Sequence, residues 1–462
     1  MRNIKLGIVV LASLLIGNVN LHAEETQNPG SKVTAAEVEN VGLEELSPAD
    51  TSDPGPPVTR TDLEGVRTEV AVLSDLLTQR LDRNIANSNR ALLIGGTVQN
   101  RFTATTHTNK PPYTNSFAFN SFILSLSGSL KKDYDEGRSF DYLVRLTASS
   151  PSSYNLQATD AYLQYSILPS LSIDRPYLYV QFGQQKIPFG LEPLTTEDKR
   201  PTINQATFAR TLNPAQQDIG IQLRGDLFPS VDLGYNYRIP FIEYNFGVFN
   251  GSGANTVDTN RSRQVAGRVA FNAPVDYNSD FRGLTLGTSL TTGNQDLYRG
   301  TTLITGGTGK ASRIRFGQDI SYVSSPIGFT AEYALGRDQQ AISGTDISNA
   351  IKATTKSKGY TLTLFYEWGE QFVKSFRNQS RNDDWWPKTY QPFVRYDHWD
   401  PNTSVGGDDL SVVTVGFNFF FAQTTKLQLN YNITRDKGNN LSPAQGSKTD
   451  RNDFVAQFQY GF

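Results

Sequence analysis

A charged segment from Ile187 to Gln217 contains the residues best suited to bind ions. It lies between two stretches of alternating residues, YVQFGQQ and DIGIQLRGDL, and has little helix or strand periodicity of its own. Loops of this length are usually either functional or disordered. The guanidinium group of Arg binds anions such as phosphate through two parallel hydrogen bonds and keeps its charge. The candidate ion-binding residues are Lys186, directly before this segment, and Glu192, Lys199, Arg200 and Arg210 within it, with Glu197 and Asp198 beside them.

The composition indicates what kind of protein must position these residues. The chain has 462 residues, a net charge of -2, 27 Phe, 21 Tyr and 38 Gly. Many aromatic residues and glycines in a polar chain are typical of a large β protein. The sequence contains no Cys, which excludes disulfide and thiolate chemistry.

Apolar and polar residues alternate in segment after segment from residue 91 to the C-terminus, as expected for β-strands. We predict an all-β fold, a 16-stranded antiparallel transmembrane β-barrel, with eighteen strands as the alternative. The doubtful segment is VDLGYNYRIP (231–240), which we interpret as an elaborated turn. The predicted strands are 91–105, 116–131, 139–150, 157–167, 177–185, 217–227, 241–250, 262–272, 282–292, 312–323, 327–337, 357–368, 389–400, 410–421, 424–435 and 451–462.

Three features favour a membrane barrel over a soluble β-sandwich. Short connections alternate with long ones such as 293–310 and 338–358, the rhythm of periplasmic turns and outer loops. The last strand ends on Phe462, with Tyr460 two positions earlier, and resembles the signal that the outer-membrane assembly machinery recognises. Aromatic residues near strand ends would form the girdles at the membrane interfaces. These residues are Phe102, Tyr177, Tyr322, Tyr360, Trp368 and Trp399.

Strand alternation also assigns charged residues to the inside of the barrel. Rings of Arg and Lys are one way in which channels select anions. The inward acidic residues nearly match the basic ones in number, so two interpretations remain: free cations that attract anions, or ion pairs that structure the wall. The basic residues predicted to line the pore are Arg101, Arg145, Arg224, Arg268, Arg313, Arg315, Arg395 and Lys426. The acidic ones are Asp160, Asp226, Glu243, Asp319, Glu332, Glu367 and Asp397.

The chain before the barrel divides into three predicted parts. Residues 1–23 resemble a secretory signal peptide cleaved after Ala23, and residues 24–57 form an acidic flexible linker. Residues 58–88 form a short helix with apolar residues at coiled-coil spacing. It packs on its own barrel or associates with other copies, and the two alternatives are left open. The predicted barrel domain is 91–462. The spaced apolar residues are Leu63, Val66, Val70, Leu73 and Leu77.

Three motifs in order carry a family resemblance: GQQKIPFGLE (183–192), DIGIQLRGDL (218–227) and GVFNGSG (247–253). From about residue 91 to the C-terminus the chain resembles the phosphate-selective porin O/P family. The resemblance implies a trimeric sixteen-stranded outer-membrane channel for small anions. It also implies a lumen in which arginines and lysines attract phosphate, with the segment after the fifth strand folded inward as a constriction.

We therefore predict a porin of the Gram-negative outer membrane that lets small hydrophilic solutes diffuse passively, with a modest preference for anions. Its expected partners are membrane lipid, small anions and two further copies of the chain, without a cofactor or nucleic acid. One alternative is a structural barrel that tethers the envelope through its outer loops or helix. The less favoured alternative, a barrel enzyme, would use an acid–base cluster of Asp397, His398 and Asp400 near Ser404.

Overall fold

A computed structural model describes most of the chain from Leu92 to Phe462. The described ranges are 92–109, 114–133, 138–149, 155–169, 176–197, 199–212, 216–232, 237–258, 260–276, 278–300, 302–323, 326–369, 387, 389–422, 424–438 and 449–462. The predicted signal peptide, linker and helical segment lie outside these residues. None of the described helices is long and apolar enough to cross a membrane.

Sixteen long strands follow one another through the described residues. They are β1 (Leu92–Thr108), β2 (Asn115–Asp133), β3 (Arg138–Ser149), β4 (Gln157–Leu168), β5 (Leu178–Lys186), β6 (Gln217–Asp232), β7 (Tyr237–Phe249), β8 (Gln264–Asn272), β9 (Leu284–Gln295), β10 (Ala311–Val323), β11 (Ile327–Ser343), β12 (Ile351–Tyr366), β13 (Thr389–Asp400), β14 (Leu410–Phe420), β15 (Lys426–Asp436) and β16 (Thr449–Gly461). A two-residue strand, Trp368–Gly369, continues β12 and pairs with β13.

The sheet is antiparallel and closed. Each strand pairs with its neighbours in the chain, and β1 pairs with both β2 and β16. The C-terminal residue completes the seam, because Phe462 and Gly96 exchange two backbone hydrogen bonds of 3.0 Å. Closure removes the exposed strand edges that a membrane could not solvate. The sixteen-stranded antiparallel barrel predicted from the sequence is confirmed.

The alternation of side chains explains which face of the barrel wall contacts lipid and which contacts water. On β12, Leu362 and Leu364 are 42% and 46% exposed on the outer face, whereas Thr361 and Thr363 are buried inside. Val394 and Val415 continue the apolar outer surface on the next strands. A strand places successive side chains on opposite faces, so the period of two makes one face fit for lipid and the other for water.

The described parts of the segment 231–240 belong to the neighbouring strands, 231–232 to β6 and 237–240 to β7. They extend the β6–β7 pairing, in which Pro229 pairs with Pro240 and Val231 pairs with Arg238. The positive φ of 53° at Phe228 marks a local irregularity within β6. The hairpin therefore extends beyond the predicted strand ends, and the strand count stays even.

Two predicted outer loops contain more structure than expected. Most of 338–358 belongs to β11 and β12, which pair as far as Ser343 and Ile351. The 293–310 connection contains a small ribbon of Tyr298–Arg299 and Thr302–Leu303. An apolar cluster with Leu297 and Ile304 at its centre joins these two connections. Local packing within the loops thus orders segments that the sequence pattern assigned to coil.

Two members of the predicted aromatic girdle lie inside the barrel instead. Trp399 is 6% exposed and packs in an inner apolar cluster. The Tyr177 ring lies 5.6 Å from the guanidinium carbon of Arg238, which lines the lumen. Trp368 does lie outside, stacked on Tyr390 at 5.7 Å. Apolar character did not identify the outer face at these two positions, because the lumen contains aromatic contacts of its own.

Candidate functional site

The connection between β5 and β6 folds into the barrel rather than over its rim. We name residues 187–216 the inner loop. It turns at Gly190, whose φ is 73°, a region that residues with a side chain rarely adopt. The Gly190 N–H donates to Ser289 Oγ at 3.0 Å, and a Cβ atom at Gly190 would collide with the carboxylate of Glu332. Glycine is required where the loop approaches the wall.

An apolar contact inside the barrel holds the far part of the inner loop. The short helix α1 (Thr207–Leu212) carries Phe208 and Leu212, which pack with Trp399 and Leu410 of the wall. Phe208 is fully buried. Burying an aromatic side chain of this size is worth roughly 1.5–3 kcal/mol. The cluster therefore stabilises one position of the loop within a lumen that is otherwise polar.

Arg395 lies among residues of the inner loop. Its Nη1 donates to Glu192 Oε1 at 2.9 Å, to Thr202 Oγ1 at 2.7 Å and to the Asn204 carbonyl at 2.8 Å. The neighbouring inward residue Asp397 accepts two hydrogen bonds from α1. Charge-assisted hydrogen bonds are about twice as strong as neutral ones. The geometry thus makes Arg395 an anchor for the loop.

Lys426 also contacts the inner loop. It is fully buried, and its Nζ donates to the Arg200 carbonyl at 2.9 Å. Gln428, two positions along the same strand, donates to the Pro201 carbonyl at 3.0 Å. The loop is therefore attached along β13–β15, on the wall opposite the strands from which it emerges.

Four of the other inward arginines form ion pairs with carboxylates of the wall. Arg145 and Arg268 each have an acid of their own, so these charges cancel locally and attract a passing ion little. Arg313 and Arg315 share Asp338, so this group keeps one excess positive charge. The pairs and their N–O distances are Arg145–Asp160 (2.9 Å), Arg268–Asp319 (2.8 Å), Arg313–Asp338 (3.6 Å) and Arg315–Asp338 (3.1 Å).

Arg101 and Lys186 have neutral partners instead. Arg101 donates to Gln457 Oε1 at 2.9 Å, and Lys186 Nζ donates to the carbonyl oxygens of Pro193 and Leu194 at 3.0 and 3.2 Å. Neither makes an ion pair with a carboxylate among the described residues. Both therefore keep an uncompensated positive charge close to the inner loop.

Arg224, Lys199 and Arg210 complete the set of predicted basic residues. Arg224 donates to Gln181 Oε1 at 3.1 Å and lies over the Tyr179 ring at 5.9 Å. Lys199 and Arg210 are exposed on the inner loop. Within the described ranges these three also lack an ion-pair partner.

A group of charged residues converges between the inner loop and the wall formed by β1 to β5. Arg101 interacts electrostatically with Glu197, Arg200 and Arg210 of the inner loop. Lys186 interacts with Glu197 and Arg200 of the same loop, with Arg145 of β3 and with Asp160 of β4. Burial lowers the pKa of Arg200 below its ordinary value, while Glu197 opposes this effect from 3.9 Å. We name this group the constriction cluster. It consists of five bases, Arg101, Arg145, Lys186, Arg200 and Arg210, and two acids, Asp160 and Glu197.

Two charged lumen residues escaped prediction from the sequence, Arg238 and Asp338, and Asp338 lay in a segment predicted to be an outer loop. Arg238 forms a two-pronged pair with Asp226, with both N–O distances at 2.7 Å. It lies in the segment that was interpreted as a turn, so strand alternation was not applied to it. The sequence signal that could have found it is the alternation of Tyr235, Tyr237 and Ile239 with Asn236 and Arg238.

The acid–base cluster considered for a barrel enzyme does not form. Asp397 faces the lumen and bonds to Thr207, whereas His398 packs against Tyr360 and bonds to Ser411 on the outer face, 3.1 Å from Nδ1 to Oγ. Adjacent strand residues point to opposite sides of the wall. In the described part of the chain, no three His, Asp or Glu residues are grouped to hold a metal ion.

Comparison with known proteins agrees with this architecture. The anion-selective porin from Comamonas acidovorans superimposes with a TM-score of 0.53 at 13% identity, covering 81% of this chain and all of that chain. The outer-membrane channel DcaP of Acinetobacter baumannii gives 0.51 at 10% identity, and OmpF of Salmonella typhi gives 0.51 at 11%. Each of these two alignments covers 82% of this chain and 99% of the other. At these identities the likeness concerns the fold. No curated protein matches the sequence.

A family model described as phosphate-selective porin O and P matches residues 93–462, which span the whole barrel from its first strand to its last residue. The motifs that carried the resemblance all lie within this range, in β5 with the start of the inner loop, in β6, and at the end of β7. The chain belongs to the phosphate-selective porin O and P family.

Proposed function

We propose that this porin conducts small hydrophilic solutes passively across the Gram-negative outer membrane and prefers anions. The inner loop narrows the lumen, and solutes pass between it and the wall formed by β1 to β5. Anions are drawn there by the positive charge, without a bound cofactor. The paired arginines elsewhere keep the wall hydrated and ordered but add little net field.

The constriction cluster is the observation that supports this proposal. The cluster contains five bases and two acids. Asp160 is paired with Arg145, and Glu197 is paired with Arg200. Arg101, Lys186 and Arg210 therefore provide the excess positive charge. Clefts of one sign with low-dielectric walls concentrate counter-ions. The selectivity expected is modest, because acidic residues such as Glu243 and Glu367 also face the lumen.

Reversal potentials in planar bilayers test the proposal. Under a KCl gradient, the purified trimer is expected to show a higher permeability for chloride than for potassium. Added phosphate is expected to reduce the chloride current, because phosphate and chloride compete for the same bases. A preference for potassium would refute the anion selectivity, and the absence of conducting pores would refute the channel itself.

We also propose the remaining steps of assembly. Residues 1–23 direct export and are removed after Ala23, residues 24–57 act as a linker, and residues 58–88 form a helix that associates with two other copies.

Phe462 is proposed to be recognised by the assembly machinery. If so, Phe462→Ala lowers the fraction of barrels assembled in cells but leaves refolding in detergent intact, because the backbone bonds to Gly96 remain. Equal losses in both settings would contradict this role.

A further inference from the structure

A recess of about 660 Å³ lies in the lumen between the inner loop and the end of the barrel where the chain termini of the barrel meet. Its wall side comes from the ends of β10 to β14, and its roof comes from residues 191–202 of the inner loop. The volume falls within the range of about 300–1,000 Å³ that is usual for small-molecule sites. Arg200 belongs both to this recess and to the constriction cluster, whereas the other members of the cluster do not line the recess.

The lining of the recess differs from the rest of the lumen. Phe365, Phe420 and Val323 form an apolar surface on the wall, and Leu191 and Pro201 form one on the loop. Inward positions of a water-filled barrel are ordinarily polar. Apolar side chains at inward positions do not contact lipid, and their exposure to water is unfavourable. An apolar group of a solute is therefore the partner that they fit.

The recess also has a basic residue at one edge. Lys199 lines both this recess and a neighbouring charged one of about 680 Å³ that contains Arg224 and Arg268. Its side chain is exposed, and it has no carboxylate partner in the ranges that the structure describes. Three carboxylates line the recess, and each accepts a hydrogen bond: Glu192 is paired with Arg395, Glu332 accepts from the Glu192 N–H at 2.8 Å, and Glu367 accepts from Gln391 at 3.1 Å.

From this juxtaposition we infer that the recess is a binding site for organic anions with an aromatic ring. The carboxylate contacts Lys199, and the ring packs between Phe365 and Phe420. Aromatic pairs gain attraction beyond their buried area, which favours a ring over an aliphatic chain. The inference rests on the proposed channel function. It adds aromatic organic anions to the small inorganic anions, such as phosphate, that the channel is proposed to conduct.

The site lies on one side of the inner loop, so binding is expected to be one-sided. A solute that enters from the chamber facing the barrel termini reaches the recess without passing the constriction cluster. Entry from the other chamber requires that passage. Within a single channel, block should therefore begin more often from one chamber than from the other.

Single-channel recording in KCl with benzoate as the probe tests the inference. Benzoate is expected to interrupt the chloride current from one chamber, with an apparent affinity about tenfold or more above that of acetate, because the ring becomes buried. Benzyl alcohol, which has the ring without the charge, should block less than benzoate. If acetate and benzoate block alike, or if block is equal from both chambers, the inference is wrong.

A pair of adjacent phenylalanines supplies the matched variants. Phe420→Thr removes a ring from the recess, whereas Phe419→Thr removes a ring from the outer face, where Phe419 contacts Phe417 and Tyr390. Benzoate affinity should fall about tenfold in the first variant and stay unchanged in the second. The chloride current of each variant shows that the barrel is assembled. Retained benzoate block in Phe420→Thr would overturn the site while leaving the anion channel intact.

Discussion

At the scale of single residues, the lumen contains two kinds of arginine. Arg268 bonds to Asp319 through both of its terminal nitrogens, so its charge is compensated within the wall. Among the described residues, Arg224 bonds only to the neutral Gln181, and it lies over Tyr179. The first kind orders the barrel, and the second kind remains available to a passing anion. Selectivity should therefore depend on few of the basic residues.

Neutralising Arg224 is expected to weaken the anion preference. Two unit charges about 7 Å apart in water interact by about 0.6 kcal/mol, which corresponds to about threefold in the chloride-to-potassium permeability ratio. We expect a fall of this size in Arg224→Gln, measured from reversal potentials in a KCl gradient.

The double variant Arg268→Gln/Asp319→Asn is the control for this prediction. It removes one charge of each sign and leaves no buried charge without a partner, so the permeability ratio should stay near that of the wild type. A fall as large as that in Arg224→Gln would mean that ion pairing in the wall does not decide which arginines act on the solute.

At the scale of elements, the inner loop is the part whose position decides the pore. It is attached by the apolar cluster around Phe208, by Arg395 and by Lys426, all on the wall formed by β11 to β15. In our proposal, solutes pass on the other side of the loop, along the wall formed by β1 to β5. Loosening the attachments should change conduction more than it changes the barrel.

Phe208→Ala is expected to loosen the inner loop. Truncation of a fully buried Phe costs about 3–5 kcal/mol of stability. The remaining contacts of the short helix α1 are too few to make up this loss. The expected result is larger open-channel current noise, seen in single-channel recordings. The strand ladder does not involve Phe208, so the heat resistance of the folded barrel on gels should change little.

Phe246→Ala serves as the comparison, because Phe246 is 51% exposed on the outer face of β7. It removes the same side-chain atoms without touching the inner loop. Noise that rises equally in both variants would show that barrel stability, and not loop attachment, controls the current.

At the scale of the whole molecule, the closed barrel and the assembly of copies are separate questions. The barrel closes through its own strands, with β1 paired to β16. Association of three copies is part of our proposal, and residues 58–88 are the candidate for strengthening it. A chain that lacks 58–88 retains every residue of the barrel.

Deletion of residues 58–88 is expected to lower the stability of the trimer without abolishing the barrel. Two to three heptads add a small amount to an association that the barrel surface already favours. The measurement is the mass of the detergent-solubilised protein over a series of dilutions, with dissociation expected at higher concentrations than for the full chain. Identical masses throughout would exclude the helix from assembly.

The amino-acid sequence by itself determined the architecture. All sixteen strands occur where alternation indicated them, because a strand between lipid and water must change polarity at every second residue. The strand count followed from the same rule, whereas the connection that folds inward after β5 was implied by the family resemblance. The rule was less successful where local packing intervened, as in the β6–β7 hairpin and the ordered outer connections.

Only the tertiary structure decided which charges matter. Alternation assigns a residue to a face, but it says nothing about which acid lies beside which base across strands distant in the chain. Arg145 and Arg101 look equivalent by this rule, yet one meets Asp160 and the other meets Gln457. Trp399 has the parity of Arg395 and so belongs to the inner face by alternation, but only the structure shows that Phe208 of the inner loop packs against it. Ion pairing and loop packing depend on contacts between remote segments, and these contacts exist only once the barrel has closed.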